Sequence, residues 1–139
     1  MKKMNNKGFS LVELIVVVLI MAIIAVALAP QVMKWVENSR KSNDIENYNA
    51  LITAANVAGT NETVINALSS GGSVSMASTG TTISPDALKN AMKVTLPDAE
   101  NIKVESSWTG SSGVNQPPFT FTVSVDANGL KITKGNYPI

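Results

Sequence analysis

From Leu14 to Ala29 the chain reads LIVVVLIMAIIAVALA, with no charged or strongly polar side chain. With its flanks it extends from Phe9 to Pro30 (FSLVELIVVVLIMAIIAVALAP). As a helix, twenty such residues cover about 30 Å, enough to cross the hydrocarbon core of a bilayer. The rest of the 139-residue chain is rich in Ser, Thr, Asn and Gly. It reads as one hydrophobic segment followed by a small polar domain with a modest core. One residue breaks the pattern: Glu13, a carboxylate at the start of the apolar run. A carboxylate within a membrane span marks a functional position and needs a partner. The span itself contains no Lys or Arg to supply one.

The residue inventory removes several kinds of chemistry. There is no Cys and no His. Disulfides, thiolate metal sites, Cys nucleophiles, Ser–His catalysis and His-ligated zinc are therefore excluded. Net charge is +1, but Lys2, Lys3 and Lys7 precede the apolar run. Without these three of the eleven basic residues, eight remain against ten acidic ones. The body is not a basic surface, and strong nucleic-acid binding is not expected. The Lys-rich leader favours a cytoplasmic N-terminus, although Lys34, Arg40 and Lys41 on the far side weaken the asymmetry.

Three readings of the N-terminal segment compete. A secretory signal peptide fits the basic start and Ala27-Leu28-Ala29 as a cleavage site. Against it stand the length of the run, Glu13, and Pro30 directly after that site. A plain single-span anchor fits the length but leaves Glu13 without a purpose. The third reading places a cut between Gly8 and Phe9. The new α-amino group at Phe9 would lie four residues from Glu13, about 6 Å along the helix axis. The helix backbone keeps that amine from its own Glu13. A neighbouring helix displaced by a little more than one turn would bring its amine there. Removing one member of such a buried pair typically costs about 3–5 kcal/mol, so the pair would report subunit register.

KGFSLVEL, Lys7 to Leu14, resembles the processing motif of type IV prepilins: a short basic leader, Gly, a Phe that begins the mature chain, and Glu four residues later. The resemblance is specific from Lys7 to Pro30. It implies cleavage at Gly8–Phe9 by a membrane prepilin peptidase, N-methylation of Phe9 by the same enzyme, and Glu13 as the assembly carboxylate that pairs with a neighbour's Phe9 amine. Pro30 stands where the family commonly has a helix-kinking proline. Ala22 stands where many members have Gly. The resemblance further implies a homo-oligomeric filament built on a pilus assembly platform. The precursor would be a single-pass protein of the cytoplasmic membrane, and the product an extracellular pilus for adhesion, twitching motility or aggregation. The alternative is a pseudopilin of a type II secretion or competence DNA-uptake machine, which shares the motif. In either case the chain is not an enzyme.

The expected fold is α+β: a long N-terminal helix, kinked near Pro30, packed against an antiparallel sheet of about three strands. Four regions are expected: a leader (1–8), a membrane and filament-core helix (9–30), an amphipathic helical spine (31–58) and a globular head (59–139). Pro30 removes one backbone donor and should kink or loosen the helix. Glu37 to Asp44 is polar all round and reads as solvated. Beyond it a stripe at Ile45, Tyr48, Ile52 and Ala55 should face the head, with Gly59 as the stop. A short helix is expected from Asn61 to Leu68, capped by Thr60 or Asn61. SVSMASTGTTI reads as a surface loop. SPDALKNAMKVTL reads as a helix with Ser84 as N-cap, Pro85 first, and Leu88, Ala91 and Met92 on one face. NIKVESSW is expected as a strand. FTFTVSV alternates strictly, with Phe119, Phe121, Val123 and Val125 inward, and DANG turns it back into LKITKG. TGSSGVNQPP between the first two of these strands is the expected variable, exposed loop.

Other candidate chemistry is thin. Asn61-Glu62-Thr63 matches a glycosylation sequon, but helix capping accounts for it better. Asp98, Glu100 and Glu105 lack the spacing of a calcium loop. No catalytic residue, cofactor-binding residue or metal ligand is expected, and no cofactor. Two Trp, two Tyr and three Phe are few for a continuous electron-conducting path.

Overall fold

The computed structural model describes residues 8–108 and 116–138. Helix α1 (Leu11–Ala58) is 48 residues long and continues through Pro30. The proline leaves one helical hydrogen bond unmade, and the residues on both sides remain helical. Two units are distinguished: one up to Val36 and one from Glu37 onward.

In the first unit every described residue is exposed; Ile15 to Leu19, for example, are each about half exposed or more. Such a helix, apolar all round, belongs in lipid or among apolar neighbours rather than in water. It is long and apolar enough to cross a membrane.

The second unit packs the C-terminal part of α1 against a four-stranded antiparallel sheet. The order is β2-β1-β3-β4, with β1 Gly72–Ala77, β2 Gly80–Ser84, β3 Phe119–Asp126 and β4 Gly129–Lys134. Two short connections close its outer hairpins: Ala77 pairs with Gly80, and Asp126 with Gly129. Gly129 adopts φ +117° in the second turn, a backbone state that side chains disfavour. Asp126 Oδ1 accepts the Asn128 N–H at 2.8 Å there. The core gathers Tyr48, Leu51 and Ala55 of α1, Val74 and Met76 of β1, and Phe119, Phe121 and Val123 of β3.

Two helices complete this unit. Helix α2 (Glu62–Ala67) is capped by Asn61, whose side chain accepts the Thr63 N–H at 2.9 Å. That is the expected cap, made by the Asn of the sequon. Helix α3 (Asp86–Thr95) buries Leu88 and Met92, with Ala91 half-buried. Lys89 pairs with Asp86, and Lys93 with Glu100. The lysines hold the Asp86 and Glu100 carboxyls below their ordinary values.

The structure corrects four expectations. The sheet has four strands, and two of them, β1 and β2, lie in the segment expected as a loop. NIKVESSW is not a strand. Its backbone meets the β1–β2 hairpin at separate points: Val104 N–H donates to Ala77 C=O at 3.0 Å and Ile102 C=O accepts the Thr81 hydroxyl, while Glu100 just before it accepts the Thr81 N–H at 3.0 Å. Ser84 does not cap α3. It ends β2 and pairs with Ser73, and Pro85 takes the cap position in an extended conformation. The buried stripe of α1 keeps Tyr48 and Ala55 as expected but is completed by Asp44, Leu51, Ala54 and Ala58, with Ile45 and Ile52 only half-buried. The helix ends at Ala58, immediately before Gly59, as expected. Of the expected variable loop, residues 109–115 lie outside the described residues.

Candidate functional site

The N-terminal turn of α1 is built by Ser10 and Glu13. Ser10 precedes the first helical residue, Leu11, and Glu13 is third in the helix. The first turn of any helix has N–H groups without partners. Here two of them are satisfied reciprocally: Ser10 Oγ accepts the Glu13 N–H at 3.2 Å, and Glu13 Oε2 accepts the Ser10 N–H at 2.9 Å. This S-x-x-E arrangement is a capping box. The Glu13 carboxylate also sits at the positive end of the helix dipole. The S-x-x-E spacing is plain in GFSLVEL, although a carboxylate in an apolar run reads first as a membrane charge.

Phe9 is 90% exposed and Gly8 is exposed. Phe9, Val12, Glu13, Val16 and Val17 share one side of the helix and line a shallow concavity of about 360 Å³. The structure thus puts Phe9 and Glu13 on the same face, four residues apart, with apolar side chains around them. Gly8 and Phe9 are still joined by a peptide bond in this chain, so Glu13 takes its hydrogen bond from Ser10 and not from an amine. Pro30 lies well along the helix, away from this group in sequence, and takes no part in it.

A second polar cluster lies in the unit that begins at Glu37. Asp44 is fully buried on α1. One carboxylate oxygen accepts the Glu105 N–H at 2.9 Å. The other accepts the Ser106 N–H at 3.1 Å, the Ser106 hydroxyl and the Trp108 indole N–H at 2.8 Å. Ser107 N–H donates to Glu37. Lys41 Nζ lies 5.5 Å over the Trp108 ring, and that ring meets Phe119 edge-on at 5.1 Å. The stretch expected to be solvated is therefore half a clasp: Glu37, Lys41 and Asp44 hold residues 105–108 onto the helix. Among the described residues no strand pairs with 105–108, and their N–H groups take carboxylates instead. The signal was available, since Asp44 lies four residues before Tyr48 on the same helical face.

The three acidic residues considered for calcium do not converge. Glu100 is paired with Lys89 and Lys93, and Asp98 accepts from Asn101. Among the described residues no three acidic side chains gather into a metal-binding group.

Residues 3–29 match the family model for the prokaryotic N-terminal methylation motif. No curated protein and no solved structure matched the chain. The motif is one of structural, pilin-type proteins and not of an enzyme family. The matched residues take in the capping box, the Phe9–Glu13 face and the apolar run up to Ala29, so the N-terminal segment is similar to that of type IV pilin-like prepilins.

Proposed function

We propose that the chain is the structural subunit, a major pilin, of a type IV pilus. The observation that carries this is the methylation motif laid over an exposed helix face that presents Phe9 and Glu13 together. The precursor is held in the cytoplasmic membrane by α1. A prepilin peptidase cuts Gly8–Phe9 and methylates the Phe9 amine. The subunit then leaves the membrane through the pilus assembly platform and joins copies of itself. There the apolar face of a neighbouring helix replaces lipid, and its Phe9 amine pairs with Glu13. Apolar side chains serve both environments, so only this one polar pair need be specific. The filament is extracellular and acts in adhesion, twitching motility or aggregation, with force supplied by other components.

The test is the intact mass and N-terminal fragmentation of protein sheared from native cells. The expected product begins at Phe9 and carries one extra methyl group. A chain beginning at Pro30 would be a secreted domain without Glu13, and an uncut chain would be a simple anchor. Either result would end this reading. Electron micrographs of the same cells separate long surface filaments from the short fibre of a pseudopilin.

A further inference from the structure

The exposed apolar surface of α1 does not stop at Pro30. Val32, Met33, Trp35 and Val36 follow it, and Met33 and Trp35 are 72% and 66% exposed. At about 100° per residue these four fall within an arc of roughly 160°, and Gln31 and Lys34 lie on the other side of the helix. This collar is apolar on one side and polar on the other, which suits the boundary between hydrocarbon and headgroups. The collar is continuous with the span, and its polar members, Gln31 and Lys34, have side chains that can reach toward water while the Lys stem stays in an apolar layer. Trp favours the headgroup boundary of a bilayer, where its ring is sheltered and its N–H stays wet.

The distances agree with that placement. Trp35 lies about 33 Å from Glu13 and about 39 Å from Phe9 along the helix. A hydrocarbon core is about 30 Å thick, and the bilayer with its headgroups about 40–45 Å. With Trp35 at the outer boundary, Glu13 falls at the inner boundary and the Gly8–Phe9 bond among the cytoplasmic headgroups.

We infer that Val32–Val36, centred on Trp35, is the outer-leaflet interfacial anchor of the unassembled subunit, binding the phospholipid headgroup layer and setting the depth of Glu13 and the Gly8–Phe9 bond. This rests on the membrane-inserted precursor described under Proposed function. It also removes the apparent cost of Glu13: before assembly the carboxylate is at the membrane edge, capping its own helix, and not in the hydrocarbon.

The experiment uses the full uncleaved chain, dilute in vesicles of phosphatidylcholine and phosphatidylglycerol. The fluorescence of Trp35 is taken as the difference between the native chain and Trp35→Phe, so that Trp108 and its packing are left intact. Lipids brominated near the headgroup or near the acyl end serve as depth probes. The expected result is co-flotation with vesicles, a blue-shifted Trp35 emission, and several-fold stronger quenching by the shallow bromines than by the deep ones. Failure to float overturns the membrane-inserted precursor and this inference together. Flotation with water-like, unquenched Trp35 emission, or with strongest quenching by the deep bromines, overturns the depth assignment alone.

Discussion

At Asp44 a carboxylate with no exposed surface does the work that a neighbouring strand would do elsewhere. Its two oxygens accept from two backbone N–H groups, a hydroxyl and an indole. Asn at this position would offer one acceptor oxygen and turn its NH₂ group toward donors. Leaving a buried donor unsatisfied costs about 1–3 kcal/mol. Asp44→Asn is therefore expected to lower the unfolding free energy by roughly 2–3 kcal/mol, read as a fall of about 10 °C in the melting temperature of the detergent-solubilised chain. An unchanged melting temperature would show that the clasp is dispensable. Tyr48 makes a related commitment. Its hydroxyl donates to Thr120 C=O at 3.0 Å, and its ring meets Phe119 and Phe121 edge-on. Burial, and secondarily the charge of Tyr137, pushes the phenol up to about 12. The unfolded phenol ionises near its ordinary 10.0, so the unfolded state sheds its proton first and stability falls as pH rises from there. Ultraviolet titration should show a late phenolate step near pH 12 that is missing in Tyr48→Phe. If that variant keeps the late step, the assignment is wrong. Residues such as these were half legible. Tyr48 stood out through its spacing, whereas Asp44 looked like any other polar residue of a solvated turn because its partners are 61 or more positions away.

Among the elements, those with a strong period were readable and those built from small polar residues were not. β3 announces itself through alternating aromatics and threonines. The β1–β2 hairpin has the same two-residue period, with Val74, Met76, Thr81 and Ile83 inward, but Ser, Thr and Gly around them look like loop chemistry. Thr81 is the instructive member. It occupies a core position because its hydroxyl donates to Ile102 C=O at 2.7 Å, a partner invisible from local sequence. NIKVESSW failed in the other direction, since alternating Ile102 and Val104 imitate a strand where the chain simply lies over the turn. A substitution separates the two views of this hairpin. Ile83 is 6% exposed, so Ile83→Ala should cost about 2–3 kcal/mol in urea unfolding. A surface-loop isoleucine would change stability by less than about 0.5 kcal/mol.

For the whole molecule, the N-terminal motif and the head answer to different requirements. Residues 8–36 are written for an apolar medium, and both the apolar run and the methylation motif over it were legible in the sequence. The capping box refines that reading. Glu13 has a partner in its own chain, the Ser10 N–H, so in the proposed assembly a neighbour's amine would replace that donor and would not meet a bare carboxylate. Glu13→Ala is accordingly expected to leave the precursor in the membrane while filaments on the cell surface become scarce or absent. Negative-stain counts beside an immunoblot of the membrane fraction read both effects. Abundant filaments from that variant would mean that Glu13 does not set subunit register.

The clasp has a counterpart on the far side of the segment it holds. Asn136 Nδ2 donates to Gln116 C=O and to Pro118 C=O, the latter at 3.0 Å. Residues 105–108 and 116–118 are thus fixed to the head by side chains far from them in sequence, Asp44 and Glu37 of α1 for one stem and Asn136 for the other. Most of these grips are on backbone atoms, so the stems can exchange side chains more freely than Asp44 or Asn136 can.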